Sequence, residues 1–345
     1  MSDVEFLVHS GVGRITLNRP RALNALTHDM VRAVTEHLLA WRVDPVVRAV
    51  VVDGAGDRGL CAGGDIRSIH DDARSGGTAS LEFWADEYRM NALIGRYPKP
   101  FLAVMDGIVM GGGVGIAAHG THRVVTDRSS VAMPETGIGF VPDVGGTYLL
   151  AHAPGQAGTH VALTAGRLSA SDAIHCGLAD HYVPARRLPD LFDALASRTP
   201  DAALELVAEP APPSRLAAAR AWIDHCYAPD TVEEILDRLR GGGEEAVSAA
   251  KEIEGKSPTA LKVTLRALRS AAAMTDLGDA LAQEYRISHR AFRSAEFAEG
   301  VRAQIIDKDR SPRWSPATLA EVDDELVASY FADLGEAELK GVWAR

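Results

Sequence analysis

Leu102-Ala103-Val104-Met105-Asp106-Gly107-Ile108-Val109-Met110, running straight into Gly111-Gly112-Gly113-Val114-Gly115, is the stretch on which the reading of the fold turns. An apolar run followed by glycine punctuation predicts a strand over 102–110, and the glycine-rich segment leads into a helix over about 114–119. A helix N-terminus offers unpaired N–H donors and positive dipole character, which suits an oxyanion or a phosphate. Upstream, Arg48-Ala49-Val50-Val51-Val52-Asp53 reads as a short buried strand, and downstream Arg123 to Thr126 reads as another. Val4 to Leu17 alternates and breaks at Gly11-Val12-Gly13, a strand, turn and strand that end at Asn18-Arg19-Pro20. From Thr27, a good N-cap, the apolar residues Met30, Val31, Val34, Leu38 and Leu39 recur at helical spacing until Pro45 stops the helix. Short strands alternating with helices predict an α/β fold class.

Beyond about Pro189 the strand signals fade. Pro210, Pro212 and Pro213 mark a loop, and Gly241-Gly242-Gly243 a turn or a helix end. Ser257-Pro258 starts a helix with Ser as N-cap and Pro in the first turn, and Leu261, Leu265 and Leu268 follow on one face. A second long helix is expected over Leu277 to Arg293. The organisation is therefore an α/β body over residues 1–190, carrying the active site, and a helical C-terminal region over 191–345 that completes the fold.

With 345 residues, 46% hydrophobic and 24% charged, the chain has the make-up of a globular protein with a sizeable core. The net charge of −11, with no concentrated run of Lys and Arg, speaks against nucleic acid as a partner. Cys61, Cys176 and Cys226 are odd in number and far apart, which fits a reducing compartment better than a disulfide framework and gives no zinc pattern. Met1 to Gly13 lacks the basic and apolar sections of a secretion signal. The longest apolar stretch, Phe101 to Ala118, is broken by Asp106 and five glycines and makes a poor membrane span. The expectation is a cytoplasmic protein without a membrane partner.

Three regions place special residues at strand-to-helix junctions, where open α/β structures carry their sites. In Cys61-Ala62-Gly63-Gly64-Asp65 two glycines let the backbone approach a ligand, and Asp65 is placed to cap the helix from Ile66; taken alone, this is equally a glycine-rich turn. In the second, Gly113-Val114-Gly115-Ile116-Ala117-Ala118 fits a loose dinucleotide pattern. The next acidic residue, Asp127, follows Gly113 by 14 positions where that pattern wants roughly 20, so a nicotinamide cofactor is set aside. The third, Met133-Pro134-Glu135 to Asp143-Val144-Gly145-Gly146, sets two carboxylates on a folded-back loop. Glu135 and Asp143 converging in a dry cleft would divide the roles of base or nucleophile and acid; the ordinary alternative has Asp143 capping a helix and Glu135 in solvent.

Asn18-Arg19-Pro20 with Asn24-Ala25-Leu26, then Cys61-Ala62-Gly63-Gly64-Asp65-Ile66, Asp106-Gly107 leading to Gly111-Gly112-Gly113, and Met133-Pro134-Glu135 together resemble the crotonase (enoyl-CoA hydratase/isomerase) superfamily. The resemblance implies a spiral of repeated ββα units with a helical C-terminal region. It also implies an acyl-CoA substrate whose thioester oxygen is held by the N–H groups of Gly64 and Gly112, and no metal or cofactor, CoA being part of the substrate. Fixed donors of this kind are worth roughly 3 kcal/mol each in comparable acyl-transfer sites. Where hydratases of the family carry their first catalytic glutamate, this chain has Gly115, while Asp143 stands where they usually have glycine. Glu135 with Asp143 in Phe140-Val141-Pro142-Asp143-Val144-Gly145-Gly146 resembles the 3-hydroxyisobutyryl-CoA hydrolase branch, an activity of valine catabolism.

That likeness continues through Thr231-Val232-Glu233-Glu234-Ile235, Ser257-Pro258-Thr259-Ala260-Leu261-Lys262, Glu299-Gly300-Val301-Arg302-Ala303 and Ile306-Asp307-Lys308-Asp309, which read as helix faces and solvated charges without chemistry of their own. By the same resemblance Glu87 lines the substrate site; read from its surroundings alone it is equally an exposed helix charge. Arg21 is a candidate for the CoA phosphates by position, but an exposed arginine is more often only a solvated charge, and it is not counted among the site residues. The implied reaction is hydrolysis of a short 3-hydroxyacyl-CoA, with Asp143 attacking or activating water and Glu135 assisting. Another crotonase activity, hydration or isomerisation, has Gly115 against it, and a non-catalytic acyl-CoA-binding protein has the carboxylate pair against it. The family's trimers or pairs of trimers are the implied assembly, the helical C-terminal part either covering its own core or binding a neighbour.

Overall fold

The computed structural model describes residues 2–343, so Met1 lies outside it. Among the described residues nine strands form two sheets. β1 (Val4–His9) and β2 (Val12–Leu17) make the antiparallel hairpin, with the turn at Ser10 and Gly11, one residue before the centre of the expected break. β3 (Ala49–Gly54), β4 (Phe101–Met105), β6 (His122–Val125) and β9 (His181–Tyr182) add in parallel, giving the order β1-β2-β3-β4-β6-β9. A second sheet takes β5 (Ile108–Met110), β7 (Ser130–Ala132) and β8 (Arg167–Leu168) in the order β5-β7-β8.

The stretch 102–110 is therefore not one strand but two. Gly107 adopts φ +65, a conformation that breaks a strand, and Asp106 turns its carboxylate out to Arg128 and to Thr126 Oγ1, 2.6 Å away. The chain leaves the first sheet there and joins the second, so Gly111–Gly113 arrive at the junction between the sheets.

Helix α1 (His28–Val43) begins as expected, Thr27 accepting the Met30 N–H at 3.3 Å, and turns Met30, Val31, Val34, Leu38 and Trp41 into the core. α2 (Ile66–Arg74) and α3 (Ala79–Gly95) follow β3, α4 (Gly112–Ala117) follows β5, and α5 (Gly146–Ala151) follows the Glu135–Asp143 loop. After β9 the chain is helical. Pro258–Ala271 starts on the expected Ser257 cap, which accepts the Ala260 N–H at 3.0 Å, and the second long helix runs over Leu277–Ala291. The three glycines at 241–243 join two helices, Val232–Arg240 and Glu244–Glu254. Among the described residues no helix is long and apolar enough to cross a membrane.

Candidate active site

Residues 59–64 run beside β5 as an irregular strand. Leu60 N–H donates to Asp106 O (3.0 Å), Cys61 N–H to Ile108 O (3.1 Å), and Met110 N–H to Cys61 O (2.9 Å). On the other flank, Leu26 N–H donates to Gly63 O (2.8 Å), Ala62 N–H to Leu23 O (3.0 Å) and Asp65 N–H to Leu26 O (2.9 Å). Gly64 is thus fixed from both sides. Its own N–H, like that of Gly112 at the head of α4, donates to no protein acceptor among the described residues. A Cβ placed on Gly112 would stand 3.3 Å from Gly64 N, so the two groups border one space.

The Asn18-Arg19-Pro20 and Asn24 motif holds this loop. Asn24, buried and at φ +55, accepts from Arg19 N–H at 2.9 Å and donates to Ala55 O and Gly59 O at 3.1 and 3.0 Å. Arg19 reaches Ala25 O (2.6 Å) and Asp65 Oδ2 (3.2 Å). This corrects the expectation for Asp65. It occupies the N-cap position of α2 but makes no capping hydrogen bond, because the guanidinium of Arg19 takes its carboxylate.

Three carboxyl groups line the same cavity of about 510 Å³ as these glycines. Glu87 comes from α3, one turn beyond Trp84; Glu135 opens a 3-10 turn over Glu135–Ile138; Asp143 lies eight positions after Glu135. All are buried, Glu87 to 2%, Asp143 to 5% and Glu135 to 6% exposure, which removes the readings of Glu87 as an exposed charge and Glu135 as a solvated one. Asp143 does not cap with its side chain either: α5 begins at Gly146, and the Asp143 carboxylate turns to Tyr88. Glu87 Oε1 would lie 2.5 Å from a Cβ on Gly112, and Glu135 Oε1 2.8 Å from one on Gly111, so two of the acids press on the glycine strand that carries a free donor. Glu87 Oε1 and Glu135 Oε2 have no hydrogen-bond partner among the described residues.

Burial, and next the charge of Asp143, hold Glu87 and Glu135 well above the usual carboxylate range. Asp143 itself is pushed up by burial to about 7, less than it would be without the hydrogen bond from Tyr88. Burial thus favours the neutral form of all three acids, and the hydrogen bond from Tyr88 counters it at Asp143.

Residues without a local signal support Asp143. Tyr88 Oη, fully buried, donates to Asp143 Oδ2 at 2.8 Å and lies 2.7 Å from Ser288 Oγ. Glu284, one turn before Ser288 on the helix Leu277–Ala291, accepts from Gly145 N–H (2.6 Å), Thr147 N–H (2.9 Å) and the Thr147 hydroxyl. His119, pushed down to about 4 by burial, is a neutral ring and donates from Nε2 to Val144 O at 2.7 Å. These contacts hold Val144 at φ +53, a strained conformation for a β-branched residue, directly after Asp143. The helix Leu277–Ala291 thus brings buried polar groups to the site. Glu284 shares its helix with one other acid, Asp279, and nothing in its neighbourhood of sequence marks it.

Gly115 is crowded. A Cβ there would meet Val144 Cβ at 2.6 Å and Asn91 Nδ2 at 2.9 Å. At the cavity's outer side stand Arg167, Lys256, Gln304 and Ile305; Arg21 is exposed and does not line it. Arg167 and Lys256 were not singled out by sequence.

A family model described as enoyl-CoA hydratase/isomerase matches residues 12–331. A Gallus gallus protein named 3-hydroxyisobutyryl-CoA hydrolase, mitochondrial, is 40% identical over 98% of this chain and 91% of its own length. A Homo sapiens protein of the same name is 40% identical over 95% of this chain and 88% of its own. Among solved structures, a carnitinyl-CoA dehydratase from Mycobacterium thermoresistibile is 51% identical with a TM-score of 0.96, covering 99% of each chain. An enoyl-CoA hydratase from Rhodobacter sphaeroides is 45% identical with a TM-score of 0.93, covering 98% of this chain and 99% of its own.

Proposed function

The chain belongs to the enoyl-CoA hydratase/isomerase family, and on that premise we propose that it is an acyl-CoA thioester hydrolase acting on a short 3-hydroxyacyl-CoA, 3-hydroxyisobutyryl-CoA first. The observation that carries the reading is the filled space before Gly115. Val144 and Asn91 occupy the place a hydratase glutamate would need, whereas the Glu135–Asp143 pair lies buried beside two free N–H donors.

In this reading the thioester oxygen sits against Gly64 and Gly112 N–H, and preorganised donors stabilise it as it becomes an oxyanion. Glu135, pressed against the same glycine strand, meets the acyl carbon, and Asp143 holds the negative charge of the pair with Tyr88. The two carboxyls share one proton, so a single transfer moves the charge from Asp143 to Glu135. Passing the remaining proton from Glu135 to Asp143 delivers that charge to Glu135 as it attacks; collapse of the oxyanion breaks the C–S bond, and the proton now on Asp143 goes to the leaving CoA sulfur. Water then opens the anhydride, giving one proton to Asp143 and freeing the hydroxy acid. Glu87 borders the substrate. Backbone donors and carboxylates supply the chemistry, and the reading calls for no metal or redox cofactor. The buried free thiols of Cys61, Cys176 and Cys226 support a reducing compartment, the cytoplasm in this proposal, although the curated relatives are named as mitochondrial. A trimer or pair of trimers is the assembly that light scattering should test.

The names of the solved relatives favour one second reading, hydration of an enoyl-CoA. Release of CoA thiol from 3-hydroxyisobutyryl-CoA, run beside hydration of crotonyl-CoA, separates the two. Thiol release that is lost in Glu135→Ala and Asp143→Ala supports the hydrolase; hydration without thiol release overturns it. Single turnover in oxygen-18 water then assigns the attack. Label in the Glu135 carboxyl means a mixed anhydride on Glu135, label in Asp143 reverses the two roles, and label only in the product leaves direct attack by water or an anhydride opened at the acyl carbon.

A further inference from the structure

Within the cavity, the two N–H donors fix where the thioester oxygen lies, and CoA must leave towards solvent, on the side of Arg167 and Lys256. The acyl group is left with the buried lining. Of its four large apolar side chains, Phe83 and Ile69 lie against the donor itself, 3.4 and 3.7 Å from where a Cβ on Gly64 would stand. Trp84 and Phe140 remain.

Those two rings are stacked, with centroids 5.4 Å apart and planes at 13°. Each comes three residues before an acid of the site, Trp84 before Glu87 and Phe140 before Asp143. Behind them stand Phe292, edge-on to Trp84 at 5.7 Å, and Phe297, 5.6 Å from Phe140 and 6.4 Å from Trp84. All four rings are at most 3% exposed, so the wall has no room to yield.

We propose that the Trp84–Phe140 stack closes the acyl pocket and sets the upper limit on acyl length, admitting small branched or hydroxylated acyl groups and excluding medium chains. This rests on the hydrolase reading and names its specificity determinant. An aromatic pair backed by further rings gives little when pushed, and extending an acyl chain into it meets overpacking instead of gaining burial. Removing one ring converts that obstruction into apolar space, where each accommodated methylene is worth about fourfold in binding.

The test measures kcat/KM for thiol release from 3-hydroxypropionyl-, 3-hydroxyisobutyryl-, 3-hydroxyhexanoyl- and 3-hydroxyoctanoyl-CoA with the wild type, Phe140→Ala, Phe140→Leu and Trp84→Phe. The wild type should drop steeply beyond the isobutyryl compound. In Phe140→Ala the hexanoyl-to-isobutyryl ratio should rise by roughly tenfold or more, with a smaller rise in Phe140→Leu, the variant to rely on if the alanine form does not fold. An unchanged ratio in folded Phe140 and Trp84 variants overturns the proposal, as does a wild type that accepts the octanoyl compound equally well. If no acyl-CoA releases thiol, the hydrolase reading has failed separately. Calorimetric affinities over the same series then decide the size limit by the same ratio.

Discussion

Tyr88→Phe removes one oxygen from the fully buried link between Ser288 and Asp143 and leaves the ring in place. A hydrogen bond to a charged acceptor contributes about 1.5–3 kcal/mol, and 1.36 kcal/mol corresponds to one pKa unit, so the loss shifts Asp143 by about 1–2 units. The direction is upward, because the Tyr88 hydroxyl donates to the ionised carboxylate and favours it over the acid. From about 7 in the wild type, Asp143 moves to roughly 8–9 in the variant. At pH 7 the ionised fraction drops from about half to about 1–10%, so kcat/KM for thiol release should fall roughly 5- to 50-fold there. The loss should shrink as pH rises and nearly vanish above about pH 9.5, once the shifted group has ionised. The measurement is kcat/KM from pH 5.5 to 10, corrected for spontaneous thioester hydrolysis. A loss of the same size at every pH, or an acid limb that does not move, refutes the assignment of Tyr88 as the group that keeps Asp143 ionised.

Glu87→Gln should stabilise the protein in alkali while harming activity. Glu87 in the fold ionises far above its ordinary value of 4.5, so the native state keeps a proton that the unfolded chain releases, and wild-type stability declines as pH rises through that interval. The glutamine form escapes the decline: its Tm, close to wild type near pH 4.5, should exceed it by at least ~2 °C at pH 8 in calorimetry. Gly115→Ala should cost about 1–3 kcal/mol in denaturant unfolding, because its Cβ strikes Val144 and Asn91. Val144→Gly in that background should recover part of the loss by removing both the clash and the strained φ of +53. Glu284→Gln puts an amide N–H₂ among three donors, so kcat should fall at least ~10-fold with KM nearly unchanged; an equal loss in KM would mean that the turn helps to bind substrate.

Local chemistry was legible. Thr27 and Ser257 cap the helices they were expected to cap, because a cap depends on a residue and the next three positions. Of the positions that the structure gathers around one cavity, Gly64, Gly112, Glu135 and Asp143 were marked by short motifs and Glu87 by the family resemblance, although only the fold could bring them together. Reading failed where a distant partner decides. Asp65 has every local attribute of a cap and loses its side chain to Arg19, 46 positions away. Residues 102–110 look continuous because both halves are buried, and the change of sheet at Gly107 depends on which strands stand beside each half. β8 and β9, two residues each, are too short for any period to show. Tyr88, Ser288, Glu284 and His119 act through tertiary hydrogen bonds and carry no signature in their own neighbourhood.

The grip of Glu284 on the 143–147 turn spans 139 positions of chain. On a ribosome adding 5–20 residues each second, the turn waits roughly 7–30 s for its anchor to be made. During that interval the nascent chain holds most of the cavity's residues with Val144 free to leave its strained conformation. Competence for catalysis therefore comes late in synthesis, with the helix Leu277–Ala291, and a message or protease cut that stops short of it yields a chain with the glycine motifs in place and no anchored Asp143.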